Sequence, residues 1–462
     1  MNRFQTSVAV SAMIAVTLSA CASTGTPARD LVQTPAVFDN SGAASSFAKS
    51  DADWWRTFGD PNLDLLTKEA LLKNQQIAGG LAAVRAARAS VTTSTAALLP
   101  QVNAGASASS QTAPNLGAGI SDISANARAS ASWQVDLFGA NRAKRRVSKA
   151  NYAAQIFDQK GLELTVASDV ASTYFSILST RARLKVAEDN LAISERIFDL
   201  VKTRFSAGAV SRFDYSSQEA SLANARARLP QLQQQLASFD TALAILLGRA
   251  PQGFEAPPGD ILALEPPPIN PGLPSDLLLR RPDLLSAEQQ LKAADANVDA
   301  ARAAFFPTID LTAGLSALLT GGASAIGSLA ASGSAPIFTA GRLEGSLEGA
   351  KARSDQAVAS YRQAVLSALR DADLGLSALN VADARETQLQ IARDAAAKAL
   401  SISELQYKAG AVGLTTLLNA QSAYFSASDA LIQGRLDRLS SAIDLYTAIG
   451  GGWGGAPKTA VQ

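Results

Sequence analysis

The spacing of hydrophobic positions changes several times along the chain, and each change marks an element. Asp60, a capping carboxylate, precedes Pro61 at a first helical position. Helical spacing then runs through EALLKNQQIAGGLAAVRAARASV to Leu99, where Pro100 stops it. One helix is predicted over that whole stretch. The period next falls to two. Ala125, Ala127, Ala129, Ala131, Trp133, Val135 and Leu137 alternate with Asn126, Arg128, Ser130, Ser132, Gln134 and Asp136, which predicts a strand with one apolar and one polar face. A weaker alternation at 102–108 supplies a partner strand across a Gly/Ser/Asn-rich loop near 114–124. From Gly139 the helical period resumes and holds to about Phe205, a helix of roughly 100 Å at 1.5 Å per residue. Val170, Ile177, Leu184, Leu191, Phe198 and Phe205 recur every seven positions beside the small Val166, Ala187 and Ser194, the spacing of a coiled-coil seam. SAGAVS breaks this helix with Gly208 at positive φ, and a second helix returns over 213–247.

The pattern is then written again. A stretch from Arg249 to Pro274 holds eight of the 18 prolines and cannot be a helix; it predicts an extended connection. LRRPDLLSAEQQL opens a helix with Pro282 and Asp283 in its first turn, and FFP at 305–307 matches LLP at 98–100. IDLTAGLSA alternates as a strand, and a weaker strand leads to IFTAGR at 337–342, aligned with LFGANR at 137–142 on an offset of 200. FSAGAV at 205–210 returns as YKAGAV at 407–412, and LLG at 246–248 as AIG at 448–450, both on an offset of 202. The heptad is less clean in this half, where Glu386 and Arg393 fall on the seam. The chain is therefore a tandem duplication: a first repeat over 51–248, a proline-rich linker over 249–274, a second repeat over 275–450 and a tail over 451–462.

Composition narrows the function. Of 462 residues 47% are hydrophobic, and Lys+Arg 41 against Asp+Glu 40 leaves a net charge of +1, so no basic field points to nucleic acid. There is no histidine, and Cys21 is the only cysteine. Histidine acid/base work, Cys/His zinc sites and an internal disulfide are thereby excluded. No phosphate loop or nucleophile motif is present, and no enzymatic activity and no cofactor are expected. Met1-Asn2-Arg3, an apolar stretch to Ala20 and LSAC at 18–21 read as a signal peptide over 1–20. LSAC also resembles a bacterial lipobox, which implies a covalent lipid on Cys21 at the head of a Ser/Thr/Ala/Pro-rich tether over 21–50. With no Asp after Cys21, the outer membrane is the expected address. Four half-apolar strands cannot close a barrel alone, and an open sheet edge is not tolerated in lipid. Three copies supply twelve strands, with polar faces on water and Ala/Val/Leu/Trp faces on lipid.

The stretches DADWWRTFGDPNLDLL, ALLPQVNA, DLFGANR, RFSAGAV, LRRPDLLSAE, FFPTIDL, IFTAGR, YKAGAV and LLNAQ span nearly all of the chain after Ser50. Together they resemble the TolC-type outer membrane factors, in particular the lipoprotein branch that includes OprM and NodT. The resemblance implies an α+β membrane protein and a homotrimer. Its long coiled helical hairpins form a periplasmic α-barrel beneath a 12-stranded outer-membrane β-barrel, four strands per protomer, with the linker in an equatorial layer. It implies as partners a periplasmic adaptor and an inner-membrane pump, commonly of the resistance-nodulation-division class, and passive export of small molecules. It makes the turns Ala207, Gly208, Ala209, Val210 and Ala409, Gly410, Ala411, Val412 the adaptor-docking tips. It also places a periplasmic gate around Tyr407. Relatives carry acidic residues just after the turn, but Thr416 and Asn419 stand here, so an acidic ring is not expected. Asp214 is instead expected to pair with Arg204, Arg212 and Lys408 as a latch of weak ion pairs. A conduit for protein or polysaccharide, and a lipid-tethered coiled-coil scaffold without a pore, are the alternatives at this level.

Overall fold

The computed structural model describes residues 34–38, 53–111, 122–267, 273–318 and 324–451. The signal peptide, Cys21, most of the tether and residues 452–462 lie outside them. After a 3-10 turn at Trp54–Phe58 the elements are α1 (Pro61–Lys73), α2 (Gln75–Ala96), β1 (Gln101–Gln111), β2 (Asp122–Val135), α3 (Ala140–Ser206) and α4 (Arg212–Leu246). The second repeat brings α5 (Leu277–Arg280), α6 (Pro282–Ala303), β3 (Thr308–Leu318), β4 (Ser324–Ser334), α7 (Arg342–Lys408) and α8 (Leu414–Ala448). Both long helices have 67 residues and both return helices have 35. No helix among the described residues is long and apolar enough to cross a membrane.

Two expectations are corrected. The helix predicted from Pro61 to Leu99 is broken at Asn74, whose backbone is extended (ψ 130°). The Asn74 side chain caps α2 by accepting from the amides of Gln76 and Ile77, and its Nδ2 donates to the Leu246 carbonyl at 2.9 Å. The second repeat has the same break at Arg281 (ψ 121°), whose guanidinium donates to the Ala448 carbonyl at 3.1 Å. In each repeat, then, the residue at the kink of the entry helix satisfies a free carbonyl at the end of the return helix. Hydrophobic spacing continues across the kink, which is why periodicity alone reads one helix.

The offset of 200 between LFGANR and IFTAGR is also corrected. The residues that start the long helices are Gly139 (φ 81°) and Gly341 (φ 84°), 202 apart, so the register is constant from there to the end of each repeat. Thr339 and Ala340 (φ 50°) stand between Phe338 and Gly341, where Phe138 precedes Gly139 directly, and these two residues account for the difference.

The four strands form one antiparallel sheet in the order β1-β2-β3-β4, so β2 and β3 join the two repeats. Its register gathers the apolar residues on one face and leaves the other mostly polar, with Leu318, Ile326 and Ala330 as its apolar members. Trp133 lies opposite Leu311, which lies opposite Ala331; Ala131 is similarly in line with Val102, Ala313 and Leu329. On the other face Ser130 is in line with Asn103, Gly314 and Ser328. β1 and β4 each pair on one side only.

The main core sits at the height where the entry segments meet the middle of α3 and the end of α8. Trp54, 1% exposed, stacks on Tyr446 at 5.2 Å, and Phe58 packs on Phe175. Tyr174 donates to Asp60 Oδ2 at 3.1 Å, while Asp60 Oδ1 accepts from the amides of Asn62 and Leu63 and caps α1. Burial, with the Asp60 charge second, pushes the Tyr174 phenol well above its ordinary range. The proline-rich linker is strapped to this core by two arginines. Arg181 donates to the carbonyls of Ala256 and Pro257, and Arg435 to that of Leu264. Such bonds satisfy a backbone that no ladder satisfies.

Candidate functional site

Each long helix ends in the same Schellman turn. The amide of Ala209 bonds to the Arg204 carbonyl at 2.8 Å and that of Ala411 to the Gln406 carbonyl at 2.9 Å, with Gly208 at φ 71° and Gly410 at φ 75°. The two turns lie side by side in the protomer, with an open cleft between them lined by Arg204, Gly208, Asp214, Tyr407, Gly410 and Gly413. Behind the cleft a second hydrophobic cluster, separate from the main core, joins Ile197 and Val201 of α3 to Leu400 and Tyr407 of α7 and Leu414 and Leu417 of α8. Val210 and Val412, one from each turn, pack against it. Ala207, Ala209, Ala409 and Ala411 cover the turns with nothing larger than a methyl group and are all exposed to solvent.

Tyr407 is 3% exposed, and its hydroxyl has no hydrogen-bond partner among the described residues. Arg204 lies over its ring at 4.8 Å and donates to the Lys408 carbonyl at 3.4 Å, so one side chain bridges the two turns. Thr416 and Asn419 are exposed on α8.

The ion pairs expected between Asp214 and Arg204, Arg212 or Lys408 are not formed. Asp214 instead closes a capping box: its carboxylate accepts from the Ser211 amide and hydroxyl, while its own amide donates to Ser211 Oγ. Arg212 turns to aromatic faces, over Phe205 at 5.8 Å and Tyr215 at 5.6 Å. A carboxylate at the third position of a helix is already held by that helix, and two rings outcompete it for the arginine. Thr416 stands 202 residues after Asp214, at the same position of α8, where Gly413 replaces the capping serine. The second turn therefore has neither half of the capping box.

Above the tips, polar contacts tie the hairpins together at positions the sequence did not reveal. Ser194 of α3 accepts on its carbonyl from Gln218 of α4 and on its hydroxyl from Gln421 of α8. Asp429 of α8 takes Arg183 of α3 at 2.8 Å and Arg228 of α4 at 3.3 Å, and Arg228 also covers Phe425. The buried seam of α3 runs through Thr180, Ala187, Ser194 and Val201, while Leu184, Leu191, Phe198 and Phe205 form its half-buried flank; Phe198 and Phe205 pack on Tyr215.

At the other end, where the helices meet the sheet, Phe138 and Phe306 stack at 4.8 Å yet stay exposed, and Ile337 and Phe338 are 98% and 88% exposed. Trp133 nearby donates its indole N–H to the Leu98 carbonyl. Rings of this kind at a sheet boundary form the aromatic girdle of a transmembrane barrel. In the sequence the FFP and LFGANR strings stand out as repeat markers, and the signal for a girdle is their aromatic residues placed beside an alternating strand. Among the described residues no group of three or more His, Cys, Asp or Glu could hold a metal ion.

A sheet with one apolar face and two open edges, carried on two 67-residue helices that end in paired turns, defines one protomer of an outer-membrane channel with a long periplasmic extension. The sequence model of the family described as outer membrane efflux protein matches residues 66–249 and 273–451, and the chain belongs to that family. The pyoverdine export outer membrane protein OpmQ of Pseudomonas aeruginosa is 36% identical over 450 residues, 94% of this chain and 95% of that protein. Among solved structures, the outer-membrane channel OprN superposes with a TM-score of 0.81 at 28% identity, covering 91% of this chain and 97% of that one. The open-state MtrE channel of Neisseria gonorrhoeae gives 0.80 at 29% identity, over 91% and 96%.

Proposed function

We propose that the chain is one of three protomers of a passive export duct, which receives small molecules from a periplasmic adaptor and an inner-membrane pump and performs no chemistry itself. The observation that carries this is the sheet. Its outer edges, β1 and β4, are unpaired, one face is apolar and the other mostly polar, and in lipid every strand edge must be paired. Pairing β4 of one protomer with β1 of the next closes twelve strands. The relative OpmQ is named for pyoverdine export, which supports a small-molecule cargo.

Two repeats in constant register give each protomer two similar tips, so a trimer offers six to an adaptor ring. The cluster behind Tyr407 and the single bridge from Arg204 support a closed tip that separates without breaking a large interface. Covalent lipid on Cys21 supplies a second membrane attachment, and no other cofactor is invoked.

The test is planar-bilayer recording with the purified protein. Discrete current steps are expected, and a Tyr407→Ala variant is expected to raise closed-state conductance by loosening the tip cluster. A non-conducting protein that is monomeric in detergent overturns the proposal. For the anchor, mass spectrometry of the mature N-terminus should find acyl chains on Cys21 that disappear in Cys21→Ser.

A further inference from the structure

Inside the strand ends, β1 to β4 carry charged side chains at two positions, Arg128 on β2 and Asp310 on β3. Both belong to the polar face. Arg128 lies opposite Gly105 on one side and Ser316 on the other, and Asp310 lies opposite Gln134 and Ser332. The opposite face at the same height is Ala104, Ala106, Ala127, Ala129, Leu315 and Ala317. An arginine is costly on the lipid side of a barrel and at home on its water side, so the register fixes both charges on the lumen wall.

Their heights differ. Asp310 pairs with Gln134, next to the strand end that leads into α3, whereas Arg128 lies six residues farther from the helices, about 20 Å along the strand. Arg128 is exposed, forms no ion pair among the described residues and has only a glycine and a serine beside it in its row. Nothing next to it neutralises or hides the guanidinium.

We infer that Arg128 sets the charge preference of the exit path: three copies form a cationic ring in the outer half of the barrel that favours anionic over cationic cargo. The inference rests on the trimeric duct proposed above and deepens it by naming the charge class that passes. Twelve strands about 4.8 Å apart and tilted about 40° enclose a backbone radius of about 12 Å. An arginine side chain spans roughly half of that radius, which leaves the axis within about one Debye length, about 8 Å at physiological salt, of all three guanidinium groups. Their fields overlap across the whole lumen, and a like charge cannot pass beyond their reach. Asp310 forms an opposite ring nearer the helices, so an anion moving outward meets that unfavourable ring before the favourable one.

The experiment measures the reversal potential of wild type and variants in planar bilayers across a KCl gradient. The anion-to-cation permeability ratio is expected to fall by about two-fold or more in Arg128→Gln, as loss of a potential on the order of kT requires. It should fall further in Arg128→Glu, stay at the wild-type value in Arg128→Lys, and rise in Asp310→Asn. Each variant is first shown to elute as wild type does. Current steps with unchanged selectivity in Arg128→Gln and Arg128→Glu overturn the inference and leave the duct standing. Absence of current steps in the wild type overturns the duct, and this inference with it.

Discussion

Four glycines show how single residues set the geometry, and they separate two causes. Gly208 and Gly410 adopt positive φ at the tips with nothing within 4 Å of where a Cβ would be. Gly248 also has positive φ, but a Cβ there would come within 2.4 Å of the Lys73 carbonyl oxygen; at Gly450 it would lie 3.1 Å from the Arg280 carbonyl carbon. The first pair supplies a left-handed turn; the second lets the return helix close onto the kink of the entry helix. Gly208→Ala is therefore expected to cost only the left-handed strain, about 1–2 kcal/mol. Gly248→Ala must also displace backbone and should cost clearly more, with loss of the Asn74 to Leu246 bond. Thermal unfolding followed by circular dichroism checks the order, and equal effects would contradict this division of roles. The glycines themselves stand out in the sequence as punctuation at matched places. Which of them faces open solvent and which a neighbouring carbonyl depends on the kink at Asn74, and an asparagine inside a continuous apolar period does not announce one.

At the scale of elements, the linker is held as much by charge as by packing. Glu69 of α1 accepts from the Arg249 guanidinium, which opens the linker, and from Lys73. The bond from Arg249 is the largest influence on the Glu69 carboxyl and holds it below the usual carboxylate range. A carboxyl depressed in the folded state contributes stability that is fully present above its unfolded value and is lost as pH falls through the folded one. Wild type should thus exceed Arg249→Gln by up to about 1 kcal/mol near neutrality, a limit set by the half-exposed arginine, and the gap should close as acid protonates the Glu69 carboxyl. Unfolding midpoints across that range check it; a constant gap would assign the effect to Arg249 packing on Phe254 instead. Helix and strand spans were legible because long, pure periods leave little choice. Glu386 was legible as a charge on the seam, but not its solution: it is 6% exposed and is held by Arg435 and Arg438 of α8, partners some fifty residues away in sequence. A buried carboxylate requires such partners, and spacing on its own helix cannot say which they are.

At the scale of the whole molecule, the duplication yields two of everything except the feature that forces assembly. The repeats share one sheet through β2 and β3, which leaves one open edge from each repeat, and in the proposed trimer those edges meet on different protomers. A proline on β4 tests this because it removes one N–H and its position decides whose partner is lost. In an antiparallel ladder successive residues turn their N–H groups to opposite sides. Of Ala330, paired with Thr312, and Ala331, paired with Leu311, one therefore donates toward β3 and the other toward the neighbouring protomer. Both proline variants should fail to trimerise, since an unsatisfied amide in the bilayer costs several kcal/mol. Only the outward one should do so while the isolated protomer keeps its sheet and its long helices. Light scattering of the detergent-solubilised proteins gives the mass, and circular dichroism gives the retained structure. If the variant with an intact internal ladder still assembles as a trimer, β4 does not form the contact between protomers, and the barrel must close by another edge.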